Sequence, residues 1–143
     1  MKTTENCQKT KTMKRAIEKI KTIQTAIFQI QSSINSVDIG APSFLISNLS
    51  AIWNNVILFT DFDEGIFATK CPTNSVRVFY MWDLDWADTV LSRKVMTDIV
   101  NKCDYLFVRD ESFIGPVESF FGRTPDRVIE NLNLEDFTNY ERN

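Results

Sequence analysis

The stretch Val76-Arg77-Val78-Phe79-Tyr80-Met81-Trp82-Asp83-Leu84-Asp85-Trp86 decides how this chain is read. Apart from Arg77, its first half is a continuous apolar run of strand length. Such a run, without alternation, marks a strand buried on both faces of a parallel sheet. Its second half turns acidic and aromatic together, where a strand gives way to a loop. Two similar runs flank it in sequence. Val56-Ile57-Leu58-Phe59-Thr60 ends at Asp61, and Tyr105-Leu106-Phe107-Val108 ends at Arg109-Asp110.

Helical patterns separate these runs. Asp63 is placed to cap a short helix containing Ile66, Phe67 and Ala68, which Pro72 breaks. A second helix is expected from about Thr89 to Lys102, with Val90, Val95, Ile99 and Val100 as core candidates. A third starts at Asp110 or Ser112, buries Phe113, Val117, Phe120 and Phe121, and stops at Gly122. Upstream, Pro42 opens a short helix burying Phe44, Leu45, Leu49, Ile52 and Trp53; downstream, Arg127-Val128-Ile129 reads as a late, short strand. Short apolar strands alternating with helices predict an α/β fold: one Rossmann-like half-domain, a parallel sheet with helices on both faces.

With 143 residues, the chain has room for one domain and an arm. At 43% hydrophobic residues, with only 4 Gly and 4 Pro, it has the makings of a core and is no disordered or low-complexity chain. It contains no histidine, so imidazole bases, ligands and pH switches are excluded. Cys7, Cys71 and Cys103 are odd in number and widely spaced, which predicts free thiols in a reducing compartment. The apolar runs are far shorter than a membrane span, and no secretory leader pattern opens the sequence; no membrane partner is expected.

Charge is unevenly placed. The first 31 residues carry Lys2, Lys9, Lys11, Lys14, Arg15, Lys19 and Lys21 against Glu5 and Glu18, whereas the rest is strongly acidic. From Met13, the apolar positions Ala16, Ile20, Ile23, Ile27, Ile30 and Ile34 follow steps of three and four, a seam along one face of a helix. Residues 1–36 are therefore expected to form a basic amphipathic helical arm ahead of an α/β domain over 37–143. The seam Ile20, Ile23, Ile27, Ile30, Ile34 either packs on its own domain or pairs with a second copy or another protein. A protein partner or homo-oligomer is expected. Nucleic acid is the weaker option, because the arm lacks interleaved aromatics and the body is acidic.

Function in such sheets gathers where strands end at their carboxyl edge. Asp61, Asp63 and Glu64 follow one strand; Asp83, Asp85 and Asp88 follow the next. Carboxylates on adjacent loops bind hard divalent cations or supply an acid and a base, but they also cap helices, and this spacing matches no ligand motif. No metal and no cofactor are expected, and no catalytic residue is assigned. The candidate binding residues are Trp82, Asp83, Asp85 and Trp86, whose rings and carboxylates suit a ligand wall or a packed strand end, and Arg109 and Ser112, which suit an anion or a capped turn. Phosphate-cradling glycine motifs and the serine-hydrolase elbow are absent from the sequence.

These motifs resemble a family of small virus-encoded proteins of large tailed bacteriophages, related to glycosyltransferases. The matching pieces are Pro42-Ser43-Phe44-Leu45, Val78 to Trp86, Leu106-Phe107-Val108-Arg109-Asp110-Glu111-Ser112, Phe121-Gly122-Arg123 and Val128 to Glu135. The resemblance implies the N-terminal half of a two-Rossmann-domain (GT-B-like) glycosyltransferase. In that architecture this half faces the acceptor, and the other half holds the sugar nucleotide. The expectation is a non-catalytic binding or assembly protein, in the host cytoplasm or a virion assembly. Two other readings stay open: an acceptor-side transferase subunit needing a separate donor-binding domain, and a nucleic-acid-associated regulator using the basic arm.

Overall fold

A computed structural model of the chain describes residues 27–29, 43–45, 56–72, 74–84, 86 and 90–131. The chain divides into two compact units, one of Met1–Leu49 with Leu132–Asn139 and one of Ser50–Asn131 with Tyr140–Asn143.

In the first unit, strands β1 (Ile27–Gln29) and β2 (Ser43–Leu45) pair in parallel, with Ile27 opposite Ser43 and Gln29 opposite Leu45. Both correct the sequence reading. Residues 27–29 lie in the predicted helical seam, and residues 43–45 in the helix predicted after Pro42. The physical reason is that Ile is a β-branched residue favoured in strands, so an Ile-rich run fits a ladder as well as a helix. A partner strand remote in sequence then decides between them. The seam positions Ile20, Ile23, Ile30 and Ile34 lie outside the described residues, as do Leu49, Ile52 and Trp53.

The second unit is the α/β sheet. Strands β3 (Val56–Phe59), β4 (Val76–Met81), β5 (Tyr105–Val108) and β6 (Arg127–Val128) are all parallel and stand in chain order. Phe59 pairs with Phe79, Phe79 with Leu106, and Val108 with Val128. The crossovers carry helix α1 (Phe62–Lys70), helix α2 (Arg93–Lys102), and a 3-10 turn (Glu111–Phe113) running into α3 (Ile114–Phe121). Strand order that advances in one direction, with crossovers of one hand, puts successive helices on one face. The contacts agree. Phe62 of α1 meets Phe79 at 5.0 Å and Phe121 of α3 at 5.7 Å between ring centroids. Helix α1 also lies so close to α2 and the sheet that a Cβ on Gly65 would come 2.8 Å from Ile99 Cγ2 and 2.9 Å from a Phe59 ring carbon. Among the described helices, then, one face of the sheet is covered rather than two.

Both faces of β4 are nonetheless buried: Val78, Phe79, Tyr80 and Met81 expose 1% or less of their surface. Helix starts follow local chemistry. Asp61, not Asp63, caps α1, its Oδ1 accepting the Glu64 N–H at 2.8 Å; Glu64 Oε2 reaches back to the Thr60 N–H at 2.7 Å. Ser92 caps α2, so that helix begins after Val90, which is fully exposed. Val95 is exposed too, and the face toward the core is Met96, Ile99 and Val100. Gly122 ends α3 in the left-handed conformation, φ 71°, which glycine adopts without strain. On α3, Val117 and Phe121 are buried and Phe120 is half-buried, as is Phe113 in the turn before it.

Two arginines and two aspartates close the amino-terminal side of this sheet. Arg77 donates to Ala68 O (2.7 Å) and Cys71 O (2.6 Å) at the end of α1. Arg123 donates to Cys103 O (2.9 Å), Val100 O and Asp104 O at the end of α2. Positive charge there suits the carbonyl end of a helix. Asp104 Oδ2 accepts the Arg77 N–H, and Asp126 Oδ2 accepts the Leu106 N–H, both at 2.8 Å, so each aspartate extends the ladder of its neighbouring strand by one bond.

Candidate functional site

Because the four strands are parallel, their carboxyl ends share one edge. That edge gathers Thr60 and Asp61 after β3, Trp82 and Asp83 after β4, Arg109 to Ser112 after β5, and Ile129 after β6. Register fixes who meets whom. Met81 lies opposite Val108, so the next residues, Trp82 and Arg109, emerge side by side, with the Arg109 N–H bonded to Met81 O at 3.2 Å. The Arg109 guanidinium lies over the Trp82 ring, 4.5 Å from its centroid. Trp82 is buried and packs edge-on to Tyr80 at 6.2 Å. Tyr80 in turn donates its hydroxyl proton to Ile129 O at 2.6 Å, tying β4 to the end of β6. Burial raises the Tyr80 hydroxyl to about 12, with the nearby Arg109 charge pulling the other way.

Three carboxylates of this edge, Asp61, Glu64 and Asp110, serve the backbone. Asp61 and Glu64 hold the start of α1 as described above. Asp110 Oδ1 accepts from the Ser112 N–H (2.8 Å) and hydroxyl (2.7 Å). Those two bonds, chiefly, hold the Asp110 carboxyl below its ordinary value, and the Arg109 charge adds to the effect. Ser112 is therefore engaged in the turn rather than presented as a free donor. Among the described residues, no group of three or more Cys, Asp or Glu side chains is placed to hold a metal ion.

The candidate residues separate. Trp82 and Arg109 come into direct contact; Asp83 is half-buried beside them. Asp85 lies outside the described residues. Trp86 packs on Phe120 (4.4 Å) and Phe121 (5.1 Å) of α3, and the Arg93 guanidinium also lies over Phe120, 4.7 Å from its centroid. Its role there is the sealing of the helix layer. The structural arginines Arg77 and Arg123 were not singled out from sequence. Their readable signal was a lone basic residue in an apolar strand and another directly after the glycine stop of α3.

Comparison of the chain with protein-family models, with curated proteins and with solved structures finds no match. No described helix is long and apolar enough to cross a membrane.

Proposed function

We propose that this chain is a non-catalytic binding or assembly protein built on a glycosyltransferase-like half-sheet, acting in the host cytoplasm or in a virion assembly. The observation that carries the reading is the engagement of Asp61, Glu64 and Asp110. Each holds backbone N–H groups at the edge where a Rossmann-like sheet would otherwise present its acids and bases. Asp110, which accepts two bonds from Ser112 and sits below its ordinary pKa, is a poor general base near neutral pH. What the edge offers instead is a rigid, buried aromatic floor under one cation. The Ile-patterned, basic amino-terminal segment favours a protein partner or self-association over a small substrate.

The test has two readouts. Sedimentation across a hundredfold concentration range is expected to show self-association, or co-sedimentation with a partner encoded by the same genome. Incubation with sugar nucleotides is expected to release no nucleoside diphosphate. A lone monomer without a partner sinks the reading. So does nucleoside diphosphate release that Asp83→Asn abolishes, which would favour the acceptor-side transferase instead. That second reading draws on Trp82 and Asp83 standing together at the strand exit.

A further inference from the structure

The arginines of the sheet unit are used in different ways. Arg77, Arg93 and Arg123 donate to main-chain oxygens: Ala68 and Cys71, Phe120, and Val100, Cys103 and Asp104 respectively. Arg127 is exposed to water. Arg109 is neither. It is half-buried, its main chain is fixed to Met81, its guanidinium lies over Trp82, and among the described residues no oxygen accepts from its five N–H donors. Its neighbour Asp110 directs Oδ1 to Ser112 instead. A guanidinium held over an indole, its donor fork unused among the described residues, has already lost the rotamer freedom that binding otherwise removes.

We propose that Arg109, with Trp82 as its platform, anchors a carboxylate brought by the ligand or partner of this protein, an inference that rests on the binding-protein reading above. The fork geometry suits a planar two-oxygen acceptor. Charge selects among such anions. Asp110 and Glu111 are exposed beside Arg109, and Asp83 lies at the neighbouring strand exit. Attraction to Arg109 and repulsion from these carboxylates both grow with ligand charge, but one cation stands against three anions, so the second charge of a phosphate, nearly −2 at neutral pH, adds more repulsion than attraction and a carboxylate of charge −1 is favoured.

The experiment follows the Trp82 indole N–H resonance by NMR in the full chain at pH 7.5 and constant ionic strength. Acetate, inorganic phosphate and an N-acetylated hexaalanine peptide with one free carboxyl terminus are the probes. Acetate is expected to give a saturable shift, phosphate one at least tenfold weaker, and Arg109→Lys to weaken the acetate response at least tenfold while the rest of the spectrum stays dispersed. Peptide binding at least tenfold tighter than acetate assigns the carboxylate to a protein partner; similar or weaker peptide binding assigns it to a small acid. A phosphate response equal to that of acetate, no saturable shift, or an undiminished response in Arg109→Lys overturns the proposal. None of these outcomes depends on the sedimentation or turnover results.

Discussion

Arg109 lies over Trp82, its guanidinium carbon 4.5 Å from the ring centroid, at the point where two neighbouring parallel strands leave the sheet. A partly desolvated pair of this kind contributes about 1 kcal/mol. Arg109→Met is therefore expected to lower stability by about that amount. In a double-mutant cycle with Trp82→Leu, the coupling should be about 0.5–1 kcal/mol. Urea denaturation of the four proteins checks it, and a coupling indistinguishable from zero would mean that the stack adds nothing beyond side-chain coverage.

Tyr80 makes the alkaline side of the stability profile informative. Its hydroxyl is raised to about 12 by burial, from 10.0. The protonated, neutral form is the one the fold prefers, so its contribution is full below pH 10 and is lost as pH rises toward 12. Burial likewise raises the Cys103 thiol to about 11 from 9.0, despite the opposing charge and hydrogen bond of Arg123, and its contribution fades from pH 9 to 11. Denaturation midpoints should thus hold to about pH 9 and then fall. Tyr80→Phe removes the donor to Ile129 O and should cost about 1–3 kcal/mol at pH 8. Above pH 10 its deficit relative to the parent protein should shrink. A deficit that stays constant to pH 12 would show that Tyr80 does not titrate in that window.

The two glycines Gly65 and Gly115 give different expectations for the same substitution. Gly65→Ala places a methyl 2.8 Å from Ile99 Cγ2 and 2.9 Å from the Phe59 ring, and both neighbours are buried. Overpacking of this sort costs about 1–3 kcal/mol, which exceeds the roughly 1 kcal/mol that alanine gains over glycine in a helix. Gly115 has open space around its Cβ position beyond its chain neighbours, but Pro116 follows it in the helix, and a Cβ before proline disfavours the helical conformation. That penalty offsets the roughly 1 kcal/mol that alanine gains over glycine in a helix, so Gly115→Ala should change stability little. Thermal melts should place Gly65→Ala well below both the parent and Gly115→Ala; a stabilised Gly65→Ala would mean that α1 is not held this close to α2.

How much of this was legible beforehand depended on whether the deciding partner was near in sequence. Val56–Phe59, Val76–Met81 and Tyr105–Val108 were readable because strands buried on both faces leave continuous apolar runs. Gly122 was readable because a helix stop is local. The start of α2 was misplaced because Thr89 and Ser92 are both cap-type residues, and only packing decides between them. The strand at Ile27–Gln29 was hidden because Ile satisfies a helical seam and a ladder alike, and its partner Ser43–Leu45 lies more than a dozen residues further along the sequence. At the edge, the acidic exits were visible. Asp110 was readable as a cap; the capping of α1 by Asp61 rather than Asp63, and the meeting of Trp82 with Arg109, required dihedral angles and register that no spacing encodes.

Arg123 offers the sharpest separation of charge from shape. Its guanidinium spans Val100 O, Cys103 O and Asp104 O and pairs with Asp126 at 3.2 Å, so a single side chain terminates α2 and holds the aspartate that extends β5. Arg123→Lys keeps the positive charge at the helix end but has no planar fork to span three carbonyls. If charge at the helix terminus were the main effect, the variant would lose only a few tenths of a kcal/mol. Loss of the fork leaves half-buried carbonyls short of donors, and predicts about 1–3 kcal/mol. Amide hydrogen exchange should localise the change: faster exchange at Cys103, whose N–H bonds Ile99 O at 3.2 Å, and at Leu106, whose N–H bonds Asp126. Exchange that accelerates evenly over the whole unit would assign Arg123 a global role rather than that of a clamp on the α2–β5 corner.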